Sequence, residues 1–236
     1  MFYCLFTCDH LVNNESINKK RIIYLTFGEY NAANIKLEIE KRYIKSFIDE
    51  ELDITVVQIL DDDNISKESF LSPELDIPIN KGLISNDIYI PQYIEEKQLK
   101  NAEGIIINIS KYEITHAANT KDGSSGSPIF LKNSNKVIGI HKASAPFKKE
   151  NYGDFINPVI NIIKEDIRKR RTNGKYINGK YIYDDGKYYI GEIKNNLPNG
   201  KGIKYYKDGN ILYEGNGLII NMKEMENIFG KMVDII

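Results

Sequence analysis

One stretch of the chain carries residue types able to do covalent chemistry: Lys121-Asp-Gly-Ser-Ser-Gly-Ser-Pro-Ile-Phe130. A glycine-dense turn between two strand-like segments can present a serine hydroxyl and aim successive backbone N–H groups at one point. Those are the ingredients of a nucleophile beside an oxyanion hole. The same composition also describes an ordinary Gly/Ser loop, and turn chemistry alone leaves both readings open. A phosphate-cradling loop fits less well, because the G-x-x-x-x-G-K-[ST] order and a following helix are absent. A second group, Cys4, Cys8 and His10, offers zinc-ligand types, yet its spacing is poor and no fourth ligand of the usual type stands nearby. No metal or cofactor is therefore expected.

Such a site needs a folded frame, and the composition supplies one. Of the 236 residues, 42% are hydrophobic and 28% charged, which suits a globular protein rather than a disordered chain. At ~100–200 residues per domain, the length accommodates one large domain or a medium domain with a small appendage. Lys+Arg 32 against Asp+Glu 33 gives a net charge of -1, so no overall positive field exists and no nucleic-acid partner is expected. The two cysteines cannot form a disulfide framework. No apolar stretch approaches the ~18 residues of a membrane helix, and MFYCLF lacks the basic lead-in of a signal peptide. A reducing, cytoplasmic compartment is the expectation.

The frame reads as β-rich. MFYCLF is a short apolar run, followed by the turn-like LVNNESINKK. RIIYLTF, ANIKLEI and LDITVVQIL have the branched and aromatic content of strands. A long connection follows, from Asp61 to Gly82, with scattered apolar anchors. IYIPQY, AEGIIINIS, YEITHAA, SPIFL and KVIGIHKA then continue the strand series. Many short strands with turn-rich breaks suit a barrel or sandwich better than alternating strand and helix. One helix is expected, from about Asn157 to Lys169, with Pro158 in its first turn and Ile160, Ile163 and Ile167 at helical spacing.

Past the basic hinge RKRRTNG the texture changes. Tyr189-x-Gly191 and Tyr213-x-Gly215 stand 24 residues apart; Gly179 and Asp185-Gly186 precede Gly202 and Asp208-Gly209 by 23. A fixed period marks a repeat unit. Each unit reads as a small β-hairpin, with Asn-Gly and Asp-Gly supplying turns and aromatics covering one face. The expected division is a first domain over residues 1–170 and a repeat module over 174–236, whose tail from Leu218 reads as a short helix or a degraded unit.

The serine-bearing loop resembles a known family. Gly123-Ser-Ser125-Gly-Ser-Pro128 is similar to the nucleophile motif of trypsin-like serine peptidases. The resemblance implies Ser125 as nucleophile, with the N–H groups of Gly123 and Ser125 as the oxyanion hole. Thr7-Cys-Asp-His10-Leu-Val resembles the family's general-base motif, and Leu52-Asp53-Ile-Thr-Val-Val-Gln-Ile-Leu60 the segment of its third triad member. Taken singly, His10 also reads as a structural residue near a strand end, and Asp53 as a cap on a strand loop. The order His10, Asp53, Ser125, with gaps of 43 and 72 residues, suits two successive barrels facing one cleft. The implied fold is mainly β: two trypsin-like barrels followed by a small β-hairpin repeat module. Only nine residues precede His10, where the family places strands of the first barrel, so that barrel is expected to lack its leading strands.

Downstream, Lys136-Val-Ile-Gly-Ile-His141 corresponds to the strand lining the specificity pocket. A histidine there, with Thr120 five residues before the serine, resembles the glutamyl endopeptidases. That resemblance implies a pocket in which Thr120 and His141 bind a substrate carboxylate; the plain alternative is that His141 is a packed strand residue. His116 is expected near the pocket without a role of its own. The C-terminal pattern resembles MORN repeats, which are linked to protein or membrane-surface association. Two functions follow from these resemblances. The first is a serine endopeptidase acting on peptide or protein substrates, with a preference for an acidic residue before the cut. The second is a catalytically silent peptidase-like binding or scaffold protein, anchored through its repeats.

Overall fold

A computed structural model describes residues 3–13, 15, 17, 19, 22–26, 34–39, 42–94, 98–145, 150–172, 174–194, 197–217 and 232–233. The chain divides into two compact units, Met1–Val159 with Ile228–Ile236, and Ile160–Asn227.

In the first unit, the leading apolar run forms β1 (Tyr3–Thr7), buried at all five positions, which explains why its sequence does not alternate. A hairpin of β2 (Ile22–Thr26) and β3 (Asn34–Glu38) follows, then β4 (Ile44–Ser46), β5 (Thr55–Ile59) and the short β6 (Phe70–Leu71). β5 pairs antiparallel with β1 over its full length and with β4 on its other side. The hairpin forms its own two-stranded sheet but shares a core, in which Leu25 and Leu37 join Tyr3, Leu5, Val57, Ile59 and Phe70. β6 arises inside the connection read as irregular. There Phe70 stacks on Tyr3 with ring centroids 4.1 Å apart. The turn expected after His10 also differs: Glu15, Ile17 and Lys19 are helical, and Ile17 N–H donates to the Asn13 carbonyl at 2.9 Å. Ile17 is buried there.

The second half of this unit is a closed barrel. β7 (Asp87–Ile94), β8 (Gln98–Ser110), β9 (Glu113–His116), β10 (Pro128–Leu131), β11 (Lys136–Ala145) and β12 (Glu150–Phe155) join in the order β10-β11-β12-β9-β8-β7. Closure runs through Phe130 opposite Tyr89 and Leu131 opposite Ile88. Pro91 lies beyond that contact, where β7 needs no donor toward β10. The interior is packed by Ile88, Ile90, Ile106, Ile114, Ile129, Ile138 and Phe155, all fully buried. A helix, α1 (Asn157–Thr172), follows and extends three residues past its expected end.

The second unit is an antiparallel meander of β13 (Gly174–Ile177), β14 (Lys180–Tyr183), β15 (Tyr188–Lys194), β16 (Leu197–Tyr205) and β17 (Ile211–Gly217). Asn178 and Gly179 both have positive φ, the geometry of a tight hairpin turn. The two Asp-Gly turns repeat one hydrogen-bond pattern. Gly186 N–H donates to Tyr183 O and Tyr183 N–H to Lys187 O; Gly209 N–H donates to Tyr206 O and Tyr206 N–H to Asn210 O. The sequence period is thus a structural one. Gly202 stands directly opposite both Gly191 and Gly215. A Cβ on Gly202 would lie 2.3 Å from the Tyr189 ring, so the glycine makes room for that buried tyrosine.

The last described strand, β18 (Met232–Val233), belongs to the first unit. It lies between β1, which it meets in parallel, and β6, which it meets antiparallel, giving the sheet order β4-β5-β1-β18-β6. Among the described residues this sheet is open, whereas the second barrel is closed. The reading of the tail from Leu218 as helix or degraded repeat otherwise lies outside the described residues.

Candidate active site

β1 ends at Thr7, and a tight turn follows in which the Cys8 carbonyl accepts from Leu11 and Val12 N–H. That turn brings His10 to the surface beside Asp53, which lies two residues before β5. His10 Nδ1 is 2.6 Å from Asp53 Oδ2, and His10 N–H donates to the other carboxylate oxygen, Oδ1, at 2.9 Å. A carboxylate only accepts, so the hydrogen sits on Nδ1. The neutral ring then presents its Nε2 lone pair outward, as a general base requires. Asp9 N–H donates to the Asp53 carbonyl at 3.3 Å, while buried Thr55 donates its hydroxyl to Asp9 Oδ1 at 2.7 Å.

Ser125 lies in the turn-rich loop before β10. Ser124 N–H donates to Lys121 O and Ser127 N–H to Ser124 O, making two successive turns around it. Gly123 has φ +88, and a Cβ there would meet nothing within 4 Å. The backbone conformation, not space, therefore calls for glycine. Among the described residues, neither Gly123 N–H nor Ser125 N–H has an intramolecular acceptor. The Ser125 hydroxyl donates to the Lys142 carbonyl at 3.2 Å, and no hydrogen bond joins it to His10. Buried Gln92 braces the loop from β7: its Oε1 accepts from Lys121 N–H (2.8 Å) and from Ser124 Oγ (2.7 Å).

One of the contacts between the two halves of the unit is a shared carbonyl. His141 O accepts from Gly126 N–H at 2.9 Å and from Cys8 Sγ at 3.2 Å. Of the residues expected at the site, the structure joins His10 to Asp53 directly, while His141 is linked through its carbonyl to Gly126, next to Ser125, and to Cys8, two residues before His10. The His141 ring is buried and contacts His116, with Nδ1 of His141 3.2 Å from Nε2 of His116. His116 Nδ1 is buried without a partner among the described residues. Donation from His116 Nε2–H to His141 Nδ1 leaves an unpaired lone pair there, whereas the reverse would bury an unpaired N–H. His141 then carries its hydrogen on Nε2. Burial pushes His141 down to about 4, and burial together with His141 pushes His116 down to about 3, so both are neutral at pH 7. His116, expected only to lie near the pocket, contacts the His141 ring directly. Thr120 is buried, with Oγ1 3.4 Å from Ser144 Oγ on the same strand as His141.

Cys4 lies within buried β1 and takes no part. Cys8 Sγ, His10 and Asp53 offer ligand atoms within 4.8 Å of one another. Burial, reinforced by the Asp53 charge, pushes the Cys8 thiol far above its ordinary range, and the thiol donates to His141 O. A metal would have to strip that proton as well as the His10–Asp53 hydrogen, so the trio suits a hydrogen-bonded network better than a metal site.

Four residues beside the site escaped sequence reasoning: Gln92, Glu113, Lys142 and Asp154. Asp53 N–H donates to Asp154 Oδ2 at 2.8 Å, and Lys142 Nζ bridges Asp154 Oδ1 and Glu113 Oε2, each at 2.8 Å. The available signal was a polar residue inside an apolar strand run, as in YIPQYI and NYGDFI. A buried polar side chain in such a run must have a specific partner.

The family described as trypsin-like peptidase domain matches residues 3–140 of the chain, more than half of it, and the MORN repeat matches residues 189–211. No curated protein sequence matches the chain significantly. Among solved structures, a serine endoprotease from Yersinia pestis superposes with a TM-score of 0.51 at 14% identity, over 83% of this chain and 64% of that one. The chain thus spans less than two thirds of that relative's length. A Glu endopeptidase superposes at 0.52 with 18% identity, over 70% of this chain and 80% of its own. A scabies mite inactivated protease paralogue reaches 0.50 at 13% identity, over 71% and 85%. These likenesses concern the fold.

Proposed function

This chain belongs to the trypsin-like peptidase family, and we propose that it is a serine endopeptidase using Ser125 as nucleophile, His10 as general base and Asp53 as its orienting carboxylate. The observation that carries the reading is the two-point hold of His10 on Asp53, which fixes the ring tautomer. For reaction, the Ser125 hydroxyl must leave the Lys142 carbonyl and reach His10. Oγ attacks the peptide carbonyl carbon as its proton passes to His10 Nε2. The oxyanion is met by Gly123 and Ser125 N–H groups, whose loss one at a time costs ~3 kcal/mol in comparable enzymes. Collapse breaks the C–N bond, and His10 returns the proton to the leaving amine. Water then cleaves the acyl ester by the same steps in reverse order.

The preference proposed is for an acidic residue before the cut, supported by Thr120 and by a neutral His141 carrying its hydrogen on Nε2. A carboxylate entering such a pocket needs donors to replace its water. The rival reading, a silent binding protein, draws on the Ser125–Lys142 hydrogen bond, which holds the hydroxyl away from His10. The repeat module is read as a contact for a protein or membrane surface in a cytoplasmic setting. Lys180 and Lys204, held 4.6 and 3.7 Å from the Tyr188 and Tyr183 ring centroids, give it a mixed cationic and aromatic face.

A fluorophosphonate probe decides between enzyme and binder. Labelling of the folded parent, abolished in Ser125→Ala, is the expected result; a folded parent that takes up no label ends the endopeptidase reading.

A further inference from the structure

Lys142 is the extra residue of a β-bulge. His141 faces Gly153 and Ala143 faces Tyr152, so β12 sets nothing opposite Lys142. A bulged residue leaves the ladder and re-aims its groups. Here the carbonyl turns to the Ser125 hydroxyl at 3.2 Å, and the ammonium turns to Asp154 and Glu113, each at 2.8 Å. Asp154 is 1% exposed, and it uses both oxygens: one takes the Lys142 ammonium, the other the Asp53 N–H at 2.8 Å. A charge buried so deeply is costly unless paired, and the pairing holds it in one orientation. Burial pushes the Asp154 carboxyl up while Lys142 opposes that shift; for Lys142, burial pulls down but the two carboxylates more than offset it.

The target of this ion pair is a peptide group. Asp53 is held at both backbone ends, its N–H by Asp154 and its carbonyl by Asp9 N–H. One methylene joins that backbone to the carboxylate contacting His10, so fixing the peptide leaves the carboxylate two torsions of freedom. Asp154 lies in the closed barrel, whereas Asp53 feeds β5 of the open sheet. We propose that Asp154, with Lys142 as counter-ion, is a positioning residue that fixes the Asp53 peptide and, through its carboxylate, the orientation of His10. The kinetic consequence rests on the endopeptidase reading; the positioning does not.

The test uses the full chain, with peptide hydrolysis and the proton NMR signal of the hydrogen between His10 Nδ1 and Asp53 as readouts. Asp154→Leu removes the acceptor, and kcat is expected to fall ~100-fold, the cost of a misplacement of about 1 Å, with KM little changed. The NMR signal is expected to broaden or vanish. In Asp154→Asn/Lys142→Met no ammonium competes for the amide oxygen, which can accept from Asp53 N–H. Its kcat is expected within about tenfold of the parent, with the signal restored. If Asp154→Leu does not fold, Asp154→Asn alone replaces it. There Lys142 draws the amide oxygen away from Asp53, so the single variant must be slower than the double. A signal and kcat unchanged in folded Asp154→Leu, or equal rates in Asp154→Asn and the double variant, overturn the proposal. A parent that neither hydrolyses peptide nor takes up fluorophosphonate removes the peptidase reading alone, and the NMR comparison still decides the positioning.

Discussion

His10 engages both carboxylate oxygens of Asp53, Oδ2 through its ring Nδ1 at 2.6 Å and Oδ1 through its own backbone N–H at 2.9 Å. The backbone bond sets where the carboxylate sits, and the ring bond sets which nitrogen carries hydrogen. Asp53→Asn separates the two. An amide oxygen can still serve the backbone N–H, but its NH2 group then faces Nδ1 and forces the hydrogen onto Nε2. Peptide turnover is expected to fall by about 10⁴, as for the same change in a comparable triad, with little loss of thermal stability. Equal rates for parent and variant would remove Asp53 from the mechanism.

Gln92 supports the serine loop from outside the reacting atoms. Gln92→Leu leaves the Ser124 hydroxyl without its acceptor and Lys121 N–H with only its longer bond to Ser124 Oγ at 3.3 Å. The buried Ser124 hydroxyl so orphaned costs about 1–3 kcal/mol. Urea unfolding is expected to show that loss, and hydrogen exchange at Lys121 is expected to accelerate before global unfolding does. An unchanged exchange rate would argue that Gln92 does not brace the loop.

The histidine pair makes stability depend on pH. Burial holds His141 down to about 4 and His116 down to about 3, so the folded protein stays unprotonated where an unfolded histidine, near 6.5, charges. The associated stability is complete above pH 6.5 and is lost as pH falls through the range down to those folded values. Each neutral histidine contributes a slope of about 1.4 kcal/mol per pH unit within that window. His116→Gln should lose stability less steeply than the parent between pH 6 and 5, read as the difference in urea midpoints. Parallel curves would contradict the burial argument.

Much of this was legible in the chain. Continuous apolar runs marked β1 and β5, Asn-Gly and Asp-Gly marked the repeat turns, and the Gly-Ser loop stood out by composition. The supports of the site were not legible, for a physical reason. Asp154 and Asp53 are 101 residues apart, and Gln92 and Ser124 are 32 apart. No local period encodes such a contact; barrel closure brings Gln92 to Ser124, and the meeting of the barrel with the open sheet brings Asp154 to Asp53. The short β4 and β6 escaped for a similar reason, since their pairing partners, not their own propensity, make them strands.

Thr120 tests the pocket. Thr120→Val keeps the shape and removes a donor. If that hydroxyl binds a substrate carboxylate, hydrolysis after Glu should drop by about 10–100-fold, the value of a hydrogen bond to a charged group. Hydrolysis after Gln should drop less. Equal losses would assign Thr120 to packing.

In the repeat unit, Gly202→Ala drives a methyl into the Tyr189 ring. Overpacking of this kind costs about 1–3 kcal/mol. Faster hydrogen exchange along β15 and β16 is the expected sign, and unchanged protection would show that Tyr189 can move aside.

β18 ties the two ends of the described chain together, Met232 and Val233 lying beside Cys4 and Leu5. Residues 87–155 close their barrel from one continuous stretch, which can fold while the rest of the chain is still being made. β1 gains its parallel neighbour only when Met232 and Val233 emerge. The barrel beside the Ser125 loop thus needs no strand beyond residue 155, whereas the strand leading to His10, paired with β5 along its whole length, takes its second neighbour from residues 232–233.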